Sequence, residues 1–295
     1  MEQLFRNIKL LTNGKYTLPY CNCLLIEDEV NCLVDSSPPE EELIHLKGKT
    51  IDMIINSHGH SDHCSRNYAF PEAHVLLHPE EHERVESGEA YLHAYGFNHF
   101  PDNPLRPFYL EGVQYHSRAA DGILSDGQVL STGKIEFEVV HLPGHSIGHC
   151  GFLFPKEGFI FTADIHPEMK PFYAMVDSDV DDFILSIEKL LQLQPDILVA
   201  GHGNAVITKN ISSKLAAYRD ELFLREEKIL KLLKAGKHTI EEIAAEAICF
   251  DGKFPEPRSI FFLHECIMDW KHLQRLERLG KVVCEDDKYY LVPGT

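Results

Sequence analysis

The spacing of apolar positions changes along the chain, and each change marks a new kind of element. Between residues 4 and 35, short aliphatic runs alternate with polar turns, predicting three strands around 4–11, 18–27 and 30–35. Asn13-Gly14 carries the residues of a tight hairpin turn between the first two. Pro38-Pro39-Glu40 opens a short helix at about 39–46, and Ile51, Ile54 and Ile55 then predict a buried strand. A short helix at 65–70 follows, then a strand at 74–78 and a helix opened by Pro79. Further short strands are predicted at 128–131, 134–141, 150–154, 158–162 and 197–200. Between the last two, Val180, Phe183, Ile184, Ile187, Leu190 and Leu191 recur at a 3.6-residue period, predicting a helix over 177–193. Its first turn holds Asp177, Asp179, Asp181 and Asp182, which suit the positive end of a helix dipole and read as a solvated helix start.

After about residue 207 the pattern becomes helical. Ile211, Leu215, Leu222, Ile229, Leu230 and Leu233 line one face of a long helix that ends near Gly236. Thr239-Ile240-Glu241-Glu242 is a capping box for the next helix. A third helix is expected at 258–279, followed by a terminal hairpin over 282–291. The division predicted is therefore an α/β domain over 1–207 and a helical domain with a β-wing over 208–295. Residues 88–125 are the least regular stretch, rich in Gly, Pro and the aromatics Tyr91, Tyr95, Phe97, Phe100, Phe108, Tyr109 and Tyr115. They form either a lid or substrate-pocket wall, or else a satellite hydrophobic cluster or dimer contact.

The strand at 51–55 leads into Ser57-His58-Gly59-His60-Ser61-Asp62-His63-Cys64. Four potential metal ligands (His58, His60, Asp62 and His63) in six residues exceed any need of packing. Gly59 and Ser61 let the segment coil so that these side chains reach one small volume. Imidazole and carboxylate donors suit zinc, iron or manganese.

This stretch resembles the HxHxDH signature of the metallo-β-lactamase superfamily. Pro143-Gly144-His145-Ser146-Ile147-Gly148-His149 is similar to that family's second histidine loop, Phe161-Thr162-Ala163-Asp164 to its bridging-aspartate loop, and Gly201-His202-Gly203 to its final histidine loop. The four motifs stand in the family's order over residues 1 to about 205. The resemblance implies an αββα four-layer sandwich in which His58, His60 and His145 hold one metal, Asp62, His63 and His202 a second, and Asp164 bridges them. Two zinc ions are the implied cofactors, with iron or manganese as alternatives. Such a pair generates a hydroxide near neutral pH, and Asp62 could orient the attacking water.

Asp35, at a strand end, sits beneath the metal site in the family, or else is a turn residue. His149 supports the site through a hydrogen bond or ligates directly. His166 and Tyr173 face the pocket as acid or oxyanion donor, or are ordinary loop residues. The C-terminal helices and wing resemble a winged-helix module placed as in the lactamase-β-like protein 2 group, which extends the resemblance to the full chain.

Composition narrows the choice among relatives. With 44% apolar and 25% charged residues the chain reads as an ordinary globular protein. No run approaches the ~18 apolar residues of a membrane span. The N-terminal residues lack a secretory or transit pattern, so a cytoplasmic location is expected. The eight cysteines make no CxxC pair and read as free thiols; Cys64 is either a small residue packed beneath the metal loop or an oxidisable thiol near it.

The net charge of −18 falls entirely on residues 1–204, which hold 13 Lys/Arg against 31 Asp/Glu, whereas residues 205–295 hold 15 of each. An acidic catalytic half is a poor match for nucleic acid, although two divalent metals would reverse the sign at the site itself. Three activities remain. One is hydrolysis of a small ester, thioester or lactone. The second is single-strand endoribonuclease activity, favoured by the full-length architecture and opposed by the charge. The third is a mononuclear iron oxygenase resembling persulfide dioxygenases, using His58, His145 and Asp164. The expected partner is a small-molecule substrate, with a homodimer contact through the insert or the C-terminal module.

Overall fold

The structure, a computed structural model, describes residues 1–16, 18–98 and 105–294. Among these residues two sheets form the body. The first runs in sequence order: β1 (Glu2–Phe5), β2 (Ile8–Leu11), β3 (Cys23–Ile26), β4 (Cys32–Val34), β5 (Met53–Ile55), β6 (His74–Leu77) and β7 (Gly122–Ile123). Pairing is antiparallel through β4 and parallel from β4 to β7. The second sheet holds β8 (Val129–Ser131), β9 (Glu136–His141), β10 (Cys150–Phe154), β11 (Phe159–Ala163), β12 (Ile197–Ala200) and β13 (Val206–Ile207), ordered β13-β12-β11-β10-β9-β8.

Two expectations fail at the N-terminus. The run 4–11 is not one strand, because Arg6 and Asn7 turn the chain between β1 and β2. Asn13-Gly14 does not close a two-residue hairpin either, since the next strand begins only at Cys23, beyond a longer connection. Its far end is anchored across the molecule: the Asn22 N–H donates to the Gly201 carbonyl at 2.6 Å and its amide to the Ala200 carbonyl at 3.1 Å. Those long-range bonds outweigh the local turn preference.

Strand alternation explains the layers. Ile8, Leu10, Leu24, Ile26, Val34 and Ile55 face Phe137, Val139, Phe152, Phe161 and Val199 across the sandwich. The outer face of the first sheet (Leu25, Leu33, Ile54, Val75) packs under Leu43 and Leu46 around the 3₁₀ helix Glu40–His45. Helices α1 (Ser61–Cys64), α2 (His82–Glu86) and α3 (Gly88–Ala94) lie between the sheets' connections, and α4 (Val180–Leu193) covers the second sheet. Phe183, Ile187 and Leu190 of α4 bury against Val140, Ile160 and Leu198, each side chain contributing about 1.5–3 kcal/mol of hydrophobic transfer.

Helix α4 starts at Val180, where its apolar period begins, and not at the expected residue 177, because Asp179 caps it, accepting the N–H groups of Asp181 (2.8 Å) and Asp182 (3.2 Å). Nor is the acidic run simply solvated. Asp181 takes Arg275 (2.5 Å) and Arg278 (2.9 Å) from a later helix, and Asp177 pairs with Arg84. The cause is tertiary: α5 (Ile211–Lys234) and α7 (Arg258–Arg278) return over α4.

Between α5 and α7 lies α6 (Ile240–Ala244), which starts at the predicted capping box, with Thr239 and Glu242 bonded reciprocally. A hairpin, β14 (Val282–Glu285) and β15 (Lys288–Leu291), follows α7. Ile229, Leu233, Leu273, Leu276, Val282 and Tyr289 give this C-terminal region an apolar centre of its own. The first turns of α7 pack elsewhere. Ile260, Leu263 and Ile267 bury against Tyr91, Tyr95 and Tyr109 of the aromatic insert.

Candidate metal centre

Each of the four motif loops leaves the end of a strand on one rim of the sandwich. Strand β5 delivers Asn56 to His58, and the chain coils at once into α1, which carries Asp62 and His63. The coil is pinned from below: Asn56 donates its amide to the His63 carbonyl at 3.2 Å, and the Ser36 N–H donates to the same oxygen at 2.8 Å. Gly59 is required here, since a Cβ would lie 2.6 Å from the Arg84 side chain. The second loop connects β9 to β10 and presents His145. Gly144 within it adopts φ +121°, and a Cβ there would come within 2.3 Å of the Phe183 backbone on α4. Asp164 follows β11 and His202 follows β12.

The side chains meet in two groups that share Asp164. In the first, His145 Nε2 lies 3.3 Å from His58 Nε2, 3.0 Å from His60 Nδ1 and 3.3 Å from Asp164 Oδ2. In the second, His63 Nε2 lies 3.2 Å from His202 Nε2 and 2.9 Å from Asp164 Oδ1, while His202 Nε2 is 3.4 Å from Asp62 Oδ2. All seven residues named from the sequence therefore converge. His58, His63 and His145 are wholly buried.

Hydrogen bonds on the far side of the rings decide which atoms face inward. His145 Nδ1 must donate to the Phe172 carbonyl at 2.7 Å, and His63 Nδ1 to Asp35 Oδ2 at 2.8 Å. Ser57 Oγ gives its one proton to Asp35 at 2.9 Å, so its 2.9 Å contact with His58 Nδ1 makes that nitrogen a donor too. In all three rings the Nε2 lone pair therefore points at the shared centre. Lone pairs and carboxylate oxygens held at about 3 Å repel one another unless a cation lies between them, so this donor set fits metal ions. The anionic groups around His63 favour a positive charge at that position, which a metal ion would supply in place of a second proton on the ring. Burial works against charge on His63, yet Cys21, Asp164, Asp35 and Asp62 around it raise its pKa well above the ordinary value. Burial and the neighbouring imidazoles instead hold His58 and His60 well below theirs. Burial would raise the pKa of Asp164, but His202, His63 and His145 hold it well below the carboxylate range.

Three supporting groups differ in how far the sequence showed them. Asp35, at φ +56°, holds His63 directly and His58 through Ser57. His149 is buried, donates from Nδ1 to the Leu142 carbonyl at 3.0 Å, and accepts the Asp164 N–H on Nε2 at 3.3 Å. Burial pushes its pKa down to about 3, which keeps that acceptor lone pair available. Glu81 has no sequence signal at all. Wholly buried, it accepts from the Gly59 N–H (3.0 Å), Ser146 Oγ (2.7 Å) and the Gly148 N–H (2.8 Å), and it pairs with Arg84 at 3.0 Å, so one carboxylate ties the first two histidine loops together. Only the local pattern Pro-Glu-Glu-His was visible, and its partners lie far away in the chain.

Of the two roles open to Tyr173, the pocket-facing one is not the one it takes. It is buried behind the site, its hydroxyl donating to His272 Nε2 (2.6 Å) and accepting from Arg225 (2.8 Å). His166 is buried with Nδ1 accepting the Glu168 N–H at 3.2 Å. Neither lines the pocket beside the metal-facing groups, whose volume is about 210 Å³. Cys64 is buried, its thiol directed at the His60 carbonyl 3.0 Å away. The aromatic insert takes both of its expected parts: Tyr91, Tyr95 and Tyr109 belong to a buried cluster and also wall the pocket. Phe100 lies outside the described residues. Wall residues not foreseen include Tyr16, whose ring meets that of His202 edge-on at 5.0 Å, and Ile260, Phe261 and His264 from α7. Among the described residues no helix is long and apolar enough to cross a membrane.

The geometry and the sequence lead to one family. The model of the metallo-beta-lactamase superfamily matches residues 16–202, and the chain belongs to that superfamily. The hydroxyacylglutathione hydrolase GloC of Haemophilus influenzae is 29% identical over 200 residues, spanning 62% of this chain and 85% of that one. The beta-lactamase-like protein 2 homolog of Drosophila melanogaster is 23% identical over 261 residues, 86% of this chain and 79% of its own. A metallo-beta-lactamase family protein of Thermus thermophilus superposes with a TM-score of 0.79 at 22% identity, covering 98% of this chain and 100% of its own. Fold similarity thus extends through the C-terminal helices.

Proposed function

We propose that the chain is a dinuclear metal hydrolase, with zinc as the resident metal, acting on a small thioester or related ester. The observation that carries this reading is the pair of imidazole groups sharing the Asp164 carboxylate, with lone pairs turned inward. His58, His60 and His145 would hold one ion, and Asp62, His63 and His202 the other. When bound, such a pair supplies a hydroxide near neutral pH and a Lewis acid for the substrate carbonyl. Asp35 fixes the tautomers of His58 and His63, so both rings keep lone pairs for metal. Asp62 also lines the pocket, where its carboxylate can orient the attacking water. The phenol of Tyr16, protonated at neutral pH, stands at the mouth beside His202 and can donate to a substrate oxygen. The name of the Haemophilus relative supports thioester chemistry. An RNA strand, by contrast, would find no Lys or Arg among the described residues lining the pocket. Asp164→Ala tests the reading. The variant should fold, as judged by circular dichroism and melting, but lose metal and turnover of a thioester panel. Full activity in that variant overturns the assignment.

A further inference from the structure

The pocket wall away from the metal-facing groups is apolar. Tyr91, Tyr95, Phe108, Tyr109, Ile260 and Phe261 form most of it. No Lys or Arg lines it among the described residues, and residues 17 and 99–104 include none. Of the basic residues next in sequence to the wall, Arg258 lies over the Phe254 ring, 5.5 Å from its centroid. His264 adds no positive charge, since burial pushes its pKa down to about 3, and its Nε2 is engaged by the Tyr109 hydroxyl at 2.5 Å. Among the described residues, the one charged wall residue away from the metal groups is acidic, the exposed Glu256.

Size sets a second limit. A cavity of about 150 Å³ holds one benzene ring, so the 210 Å³ of this pocket, which include the space beside His60, Asp62 and Asp164, have room for the reacting group and about one ring, or a chain of similar bulk. A carboxylate held against this wall would lose its water and meet no Lys or Arg among the described residues. An apolar group would exchange water for aromatic faces and edges.

We propose that this pocket binds the acyl part of the substrate and selects an uncharged, apolar acyl group of one aromatic ring or about six to eight carbons. The claim rests on the hydrolase reading above and names the substrate class of that same site. Two elements impose it jointly, the insert through Tyr91, Tyr95 and Tyr109, and the first turns of α7 through Ile260 and Phe261. Helix α7 therefore takes part in choosing the substrate. A small polar acyl group, such as the lactoyl of a hydroxyacyl-glutathione, would leave the apolar wall unfilled.

The test uses metal-loaded protein and thioesters with one neutral leaving group, N-acetylcysteamine, carrying phenylacetyl, octanoyl, acetyl or succinyl, together with S-D-lactoylglutathione. Phenylacetyl and octanoyl should exceed acetyl and lactoylglutathione in kcat/KM by at least about tenfold, and succinyl by about a hundredfold. Glu256→Lys, at an exposed position whose carboxylate accepts the Arg258 N–H at 3.1 Å, should raise the succinyl value several-fold, with melting followed in parallel. Ile260→Lys should shift the succinyl-to-phenylacetyl ratio by at least about tenfold in favour of succinyl. Preference for acetyl, succinyl or lactoylglutathione over phenylacetyl overturns the proposal. If no thioester is turned over, the hydrolase reading falls separately. The pocket claim is then judged by calorimetric binding of the same compounds: tighter binding of phenylacetyl than succinyl upholds it, and equal or reversed affinity overturns it.

Discussion

Asp35→Asn is the substitution that bears most directly on how the chain prepares its site. The carboxylate is wholly buried and accepts three hydrogen bonds: from the Ser57 N–H at 2.8 Å, from Ser57 Oγ at 2.9 Å and from His63 Nδ1 at 2.8 Å. Asparagine matches its shape but must place an NH₂ group against one of these donors. With the amide nitrogen toward the Ser57 N–H, two donors oppose each other. With it toward His63, the ring must accept on Nδ1 and carry its proton on Nε2, which abolishes the lone pair aimed at Asp164 and His202. A hydrogen bond to a charged group is worth about 1.5–3 kcal/mol, or roughly ten- to a hundredfold in a binding constant. Metal affinity should fall by that factor, and more for the ion near His63 than for the one near His58, which feels Asp35 only through Ser57. Competition titration against a chromophoric chelator measures both steps, with kcat/KM followed in parallel. Wild-type affinity for both ions in Asp35→Asn would refute the tautomer argument.

The tie between the two histidine loops predicts that Glu81→Ala destabilises the fold by about 3–5 kcal/mol, because Arg84 loses its buried partner, keeping Asp177, and the Gly59 N–H, Ser146 hydroxyl and Gly148 N–H lose their acceptor; urea unfolding measures it. Burial raises the Glu81 pKa, but Arg84, Ser146, Gly148 and Gly59 together bring it below the ordinary 4.5. Its contribution to stability is thus complete above that value and is lost as pH falls through the folded value. Wild type should lose stability on acidification below about pH 4.5 more steeply than Glu81→Gln, and parallel pH profiles would contradict this. Gly144→Ala should cost at least about 2 kcal/mol and displace His145, since the new methyl meets the backbone of α4 and φ +121° suits only glycine; crystallography and melting both report on it.

What the sequence shows and what it hides follow from range. The seven convergent residues are legible because a metal loop must place imidazole and carboxylate at fixed offsets, and packing alone would not choose them. The α6 start is legible from Thr239, whose side chain caps through a local bond, whereas the cap at Asp179 is hidden among four aspartates, so the acidic run points to a start at 177 rather than at Val180. By contrast, the connection into β3 is fixed by Asn22 reaching Gly201 and Ala200 in the other sheet, which no local pattern reveals. Glu81 is hidden for the same reason: its three loop partners come from residues 59, 146 and 148. Tyr173 misled through proximity in sequence to Asp164, when its hydroxyl serves Arg225 and His272 behind the site. The aromatic insert announced itself by composition, but the part of α7 in its wall depends on a helix returning from the end of the chain.

Elemental analysis of reconstituted, dialysed protein tests the central claim most directly, comparing wild type with His202→Ala. Two ions per chain in the wild type and one in the variant are predicted, since His58, His60 and His145 remain intact. A wild-type chain that binds one ion or none under saturating zinc, or a variant that still binds two, contradicts the account.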